Sequence, residues 1–142
     1  MPKESSKLIS LMFVIGRRMK EDMRGMAEAS GCSWIHLEAL RYVQENGRPL
    51  MRGLAEYFSI TPPAATLLVD GLVRDKLLRR IVDARDRRAV RIALTPKGRQ
   101  FLARGARHRV RKIQEVFSVL DAREYRELLR ILEKIAKADK LK

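Results

Sequence analysis

From Ser5 to Ala29 the apolar residues Leu8, Met12, Ile15, Met19, Met23 and Met26 recur at three- and four-residue steps. That spacing predicts one face of a long helix, with Arg17, Arg18, Lys20, Glu21 and Arg24 on the others. Ile9, Leu11, Phe13 and Val14 widen the stripe until the first half of the helix is apolar nearly all round. Such a helix is expected to be buried between subunits, as half of a dimer interface. Gly31 is expected to stop it and Ser33 to cap the next helix, Trp34 to Glu45, which carries Leu37, Leu40, Tyr42 and Val43. Asn46-Gly47 ends that helix. A short one from about Met51 to Phe58 follows, poorly capped, with Leu54, Ala55 and Phe58 inward.

Thr61 then caps a helix whose first two positions are Pro62 and Pro63, where a missing N–H costs nothing. It runs through Leu68, Val69, Leu72 and Val73 to about Asp75. Two helices joined by Ser59-Ile60-Thr61 read as a helix-turn-helix. Two short apolar runs come next, Ile81-Val82 and Val90 to Leu94, around a turn holding Asp83, Arg85, Asp86, Arg87 and Arg88. A hairpin here sets three arginines at an exposed tip, where guanidinium groups suit a phosphate backbone or a narrow minor groove. Thr95-Pro96 caps a long helix reaching roughly Leu120. Asp121 with Glu124 forms a capping box for a last helix, Ala122 to about Ala138.

Charge sharpens this picture. In 142 residues, 31 Lys and Arg face 17 Asp and Glu, for a formal net charge of +14. A field of that sign attracts polyanions. The 46% hydrophobic fraction fits one globular domain with a real core. A single cysteine excludes an internal disulfide and a Cys-based zinc site, and fits a reducing, cytoplasmic setting. The longest apolar run, Leu11 to Ile15, is far too short to span a bilayer, and no signal-peptide cleavage site follows it.

Leu54-Ala55, Ser59-Ile60-Thr61, Val69, Leu72, Leu77-Leu78, Arg80, Asp83 to Arg88 and Leu94-Thr95-Pro96-Lys97-Gly98 together resemble the MarR family of winged-helix transcription regulators. Their order and spacing carry the resemblance, over roughly residues 33 to 102. It implies a mainly α fold with a small β-hairpin wing. One domain over 1–142 would hold a winged helix-turn-helix lobe at about 33–98. Dimerisation helices would flank it at about 5–29 and 99–138. It further implies a homodimeric, sequence-specific regulator on a pseudo-palindromic operator, most often a repressor, released by a small lipophilic or aromatic effector. Half-sites would lie one helical turn, roughly 10 bp, apart.

Carried over by position, Thr61 to Leu68 resembles the groove-facing part of a recognition helix. Asp86 and Arg88 resemble the wing pair in which a carboxylate orients an arginine that enters the minor groove. Arg85 and Arg87 would lie against phosphates, with Arg52 and Arg74 as further backbone contacts. The chain departs from the family at two places. Lys76 stands where many relatives have a glycine, so the exit from the recognition helix is expected to be weaker. Pro62 to Leu67 is nearly devoid of hydrogen-bonding side chains, with Leu67 where relatives often carry a polar or basic residue. Bidentate base readout is impossible from this stretch. Thr61, Thr66 and the Pro63/Ala64 surface are expected to read thymine methyls and groove shape.

For an effector, the resemblance suggests a cleft lined by Met12, Trp34, His36 and Leu37. Cys32 with His36 one turn on falls short of a metal site and reads as an inert thiol. No cofactor or metal is expected. No Gly-rich phosphate loop, His-x-x-x-His pair or catalytic triad spacing is present, so no enzyme is expected. His108, among Arg104, Arg107, Arg109 and Arg111, reads as part of a basic stripe. Two other functions compete with the operator-binding regulator. A low-specificity architectural DNA binder fits the apolar recognition segment, and an acidic-partner module would keep the fold without binding DNA.

Overall fold

A computed structural model describes residues 2–30 and 34–138, and the side chains of all of these except residues 2 and 21–30. The expected stop at Gly31, the thiol of Cys32 and the cap at Ser33 fall outside the described residues. The elements are α1 (Pro2–Ser30), α2 (Trp34–Glu45), α3 (Met51–Phe58), α4 (Pro62–Arg74), β1 (Leu78–Val82), β2 (Val90–Leu94), α5 (Pro96–Val116) and α6 (Ala122–Ala138). The helices expected over 34–45, 51–58 and 122–138 stand where the periodicity places them. Other boundaries differ: α1 begins at Pro2 rather than Ser5. The first strand begins at Leu78 rather than Ile81, and α5 ends at Val116, short of Leu120. Its end is turned by Ser118, whose hydroxyl donates to the Glu115 carbonyl at 2.8 Å, and by Leu120 N–H to Phe117 O at 3.1 Å.

The chain divides into two compact units, one over Lys20–Arg109 and one formed by Met1–Met19 with Val110–Lys142. The first holds the main core. Leu37, Leu40 and Val43 of α2 pack with Leu54 of α3, Val69 and Leu72 of α4, and Leu77, Leu78, Ile92, Phe101 and Leu102. Strands β1 and β2 pair antiparallel from Leu78↔Leu94 to Val82↔Val90. Leu78 is buried, and this explains why a strand containing Arg79 and Arg80 starts so early: only its core face needs apolar residues. The short segment before α3 extends the sheet, with a bridge between Leu50 and Arg91 and Ile92 N–H donating to Pro49 O at 2.9 Å.

The turn from α4 into β1 sets the angle of the hairpin. Lys76 N–H donates to Val73 O at 3.0 Å and Leu77 N–H to Leu72 O at 2.9 Å. This is the paired-bond Schellman exit, with its two apolar residues, Leu72 and Leu77, both buried. The motif needs a left-handed residue, and Lys76 takes it at φ 62°. The exit therefore forms without the family's glycine, at the cost of a strained lysine. Thr95 then ties the end of β2 to this turn. Its hydroxyl oxygen caps α5 by accepting from Gly98 N–H at 2.9 Å and lies 2.6 Å from the Lys76 carbonyl. Gly98 sits against the same turn, where a β-carbon would fall 2.0 Å from Leu77 O.

In the second unit, Val116 is buried, whereas α6 buries none of its side chains. Leu129, Leu132 and Ile135 of α6, and Leu8, Ile9, Met12 and Phe13 of α1, are all exposed. The α6 capping box is formed as expected: Glu124 N–H donates to Asp121 Oδ1 at 2.8 Å and Asp121 N–H to Glu124 Oε2 at 2.9 Å. No described helix is long and apolar enough to cross a membrane.

Candidate nucleic-acid interface

Helix α4 is fixed at its start by Thr61, whose side-chain oxygen accepts from Ala64 N–H at 3.3 Å, with the two prolines in the first helical positions. Ala65, Val69 and Leu72 face the core. The opposite stripe holds Pro63, Thr66, Leu67, Asp70 and Arg74, at the three- and four-residue steps of one helix face. Leu67 is 73% exposed, so its side chain stands open to whatever meets this face. The hydroxyl of Thr66 donates to Pro62 O at 3.0 Å, back into its own helix.

The wing tip is built by its two aspartates. Asp83 Oδ1 accepts from Arg85 N–H at 3.0 Å and Asp86 Oδ1 accepts from Arg88 N–H at 2.9 Å, each bridging two residues onward as Asx turns do. Asp83 N–H to Ala89 O and Ala89 N–H to Asp86 O, both 3.0 Å, close the loop. Asp83 also pairs with Arg91 at 3.3 Å. The Arg85 N–H, and then Arg91, hold its carboxyl below the usual aspartate range. The resemblance pairs the Asp86 carboxylate with an arginine, and in this chain the hydrogen bond goes to the backbone of Arg88. The side chains of Arg85, Arg87 and Arg88 are left exposed.

Between α4 and the wing lies a groove of about 670 Å³, lined among others by Arg52, Thr66, Asp70, Arg80, Asp86 and Arg88. It brings Arg52, Thr66, Asp86 and Arg88 together from three elements. Thr61, Pro63, Leu67, Arg74, Arg85 and Arg87 lie outside its lining, exposed, and Ala64 is half-buried. Two further residues shape the groove that no sequence signal coupled: Asp70 of α4 and Arg80 of β1 form an ion pair across it. Only the return of the chain at Lys76 brings these residues, ten apart, into contact.

The four residues suggested for an effector differ in their exposure. Leu37 is fully buried in the core, and Met12 is exposed on α1 in the other unit. Trp34 is covered by Arg109, whose guanidinium carbon lies 4.4 Å from the ring centroid. Burial pushes the His36 imidazole below its ordinary range, against the opposing effect of Asp75. Arg109, read from sequence as one of a basic stripe, belongs instead to an ionic cluster around Glu38. That carboxylate accepts from Arg109 at 3.0 Å, from Arg41, and from the Tyr57 hydroxyl at 2.6 Å. The bonds from Arg41, then those from Tyr57 and Arg109, lower its pKa to about 2 against the opposing effect of burial. The Glu38/Arg41/Glu45 helical spacing was the only hint of this cluster in the sequence. Among the described residues no group of three or more His, Cys, Asp or Glu side chains is placed to hold a metal.

No curated protein matches the sequence. The profile of the MarR family matches residues 30–89. A MepR-like protein, solved in complex with pseudoligands, is 31% identical over 92% of this chain and 92% of its own, with a TM-score of 0.69. The transcriptional regulator BldR from Sulfolobus solfataricus is 28% identical over 96% of each chain, with a TM-score of 0.79. MepR of S. aureus, solved in complex with DNA, is 25% identical over 91% of this chain and 96% of its own, with a TM-score of 0.78. With its helix-turn-helix, antiparallel wing and flanking helices, the chain belongs to the MarR family and has its winged-helix fold.

Proposed function

We propose that the chain is a sequence-specific, DNA-binding transcription regulator acting in the cytoplasm as a homodimeric repressor on a pseudo-palindromic operator. The observation that carries this reading is the groove between α4 and the wing. One wall is an exposed helix face and the other an arginine-rich tip whose two carboxylates are turned into its own backbone. In this arrangement Thr61, Pro63, Ala64, Thr66 and Leu67 enter a major groove and Arg88 the flanking minor groove. Arg52, Arg74, Arg85 and Arg87 meet phosphates, while Asp86 fixes the turn. The S. aureus MepR–DNA complex supports DNA as the partner.

Dimerisation is supported by α6, which buries no side chain within one chain, and by the exposed apolar residues of α1. Apolar surface on that scale marks an interface. The pseudoligands bound to the MepR-like relative support a small-molecule effector, although Leu37 has no surface to offer one. A protein of this fold and site needs no enzymatic step.

Selection from a random duplex pool, at near-physiological salt, tests the reading. An enriched palindrome with half-sites about one turn apart is expected. The apolar face of α4 favours one alternative, a low-specificity architectural binder. That alternative predicts retained DNA with no enriched sequence, and a protein module for an acidic partner predicts no retained DNA at all.

A further inference from the structure

The outward stripe of α4 has little hydrogen-bonding capacity left for a ligand. The Thr66 hydroxyl proton is held by Pro62 O, Asp70 is paired with Arg80, and Arg74 stands in the last turn. Thr61 lies ahead of the first turn, with its oxygen capping Ala64. The first two turns of the stripe therefore present Pro63 and, one turn on, the exposed side chain of Leu67. An apolar protein partner is a poor match for this patch, because the groove beside α4 holds Arg52 and Arg88 and the wing tip adds Arg85 and Arg87, all exposed. A duplex matches both features. Its phosphates meet the arginines, and the C5-methyl group of thymine is the one apolar group in the major groove.

We infer that Leu67, seated beside Pro63, is the specificity-determining residue of the helix, and that it reads a pyrimidine C5-methyl group whichever base carries it. The inference rests on the DNA-binding reading above. Its distinctive consequence is that 5-methylcytosine replaces thymine at the contacted position. On the major-groove side, exchanging T·A for 5-methyl-C·G keeps the methyl group and the purine N7 acceptor, and changes only the exocyclic groups at C4 of the pyrimidine and C6 of the purine. Leu67 and Pro63 carry no polar side-chain atom with which to tell those groups apart, and the Thr66 hydroxyl proton is committed to Pro62 O. Binding by this protein thus responds to cytosine methylation at that position, and unmethylated cytosine is the discriminated base.

The full chain is to be titrated with the best duplex from the random pool, each thymine of a half-site replaced in turn by uracil, cytosine or 5-methylcytosine. At one position per half-site, uracil and cytosine should weaken binding about fourfold, the worth of one buried methyl group. At that position 5-methylcytosine should bind about as tightly as thymine. Leu67→Ala, exposed and remote from the core, should bind the thymine and uracil duplexes equally. Uracil tolerated at every position, or a penalty that survives Leu67→Ala, overturns the inference and leaves the sequence-specific regulator standing. Retained duplex without an enriched sequence overturns it in favour of the architectural reading. If no duplex is retained, the DNA-binding reading fails and this inference with it.

Discussion

Glu38 of α2 accepts a hydrogen bond from Arg109 of α5 at 3.0 Å, and the same guanidinium lies over the ring of Trp34. Seventy-one positions of chain separate the two charges. Their contact joins the start of α2 to α5 where the core of the winged-helix unit ends.

That contact predicts acid sensitivity. The Glu38 carboxyl has a pKa of about 2 in the folded chain against 4.5 ordinarily, so ionised Glu38 stabilises the fold above about pH 4.5. The contribution is lost as pH falls from there toward about 2. Solvent screening at this half-buried site holds it to roughly 1–2 kcal/mol. Urea unfolding of wild type and Glu38→Gln should differ by that amount at pH 7 and converge in acid.

Lys76→Gly should stabilise the protein. The lysine sits at φ 62° in a turn whose two hydrogen bonds are already formed. Relief of left-handed strain, less the greater freedom of glycine when unfolded, leaves about 0.5–1 kcal/mol. Thermal melting should rise by a few degrees, and an unchanged or lower melting point would contradict the turn geometry.

Two glycines should respond to alanine with opposite signs. At Gly98 the new β-carbon would fall 2.0 Å from the Leu77 carbonyl oxygen, so α5 must move off the turn. A loss of roughly 3 kcal/mol or more is expected. At Gly71, inside α4, nothing lies within 4 Å of that position. There the gain in helix propensity should add about 1 kcal/mol. Calorimetry of both variants reads the contrast.

Under the proposed DNA-bound arrangement, Arg88→Ala should weaken the selected duplex about tenfold or more. Asp86→Ala should weaken it through the same side chain, by releasing the Arg88 backbone N–H. The double variant should then be little worse than Arg88→Ala alone. Gel shifts giving additive losses would separate the two residues' roles.

Local chemistry made much of the fold legible. The Thr61 cap with its prolines, the Asp121/Glu124 box and the Thr95 cap are each written within four consecutive residues, and each forms. Long-range pairings were not legible. Asp70 with Arg80, Glu38 with Arg109 and Pro49 with Ile92 depend on where the chain returns, and no periodicity records that. The strand at Leu78 was missed because Arg79 and Arg80 mask a single buried residue. Lys76 was read as a weakness because a preference for glycine ranks residues, whereas the buried pair Leu72 and Leu77 decides whether the turn closes. At the site, the exposed arginines and the apolar helix face were visible from the start. That Asp86 grips backbone rather than guanidinium follows from how the tip folds, which the spacing does not record.

The Asx turns at Asp83 and Asp86 have a consequence for the entropy of association. A seven-residue loop between strands would ordinarily lose backbone freedom on meeting a rigid partner, at roughly 1–2 kcal/mol per residue fixed. Here carboxylates and ladder bonds hold the N–H groups of Asp83, Arg85, Arg88 and Ala89 in the free chain. Less backbone is then left to order beside the arginine rotamers, so the tip is both highly charged and partly prepared. If the patch meets a polyanion as proposed, its two negative charges exchange some attraction for a loop already turned by its own hydrogen bonds.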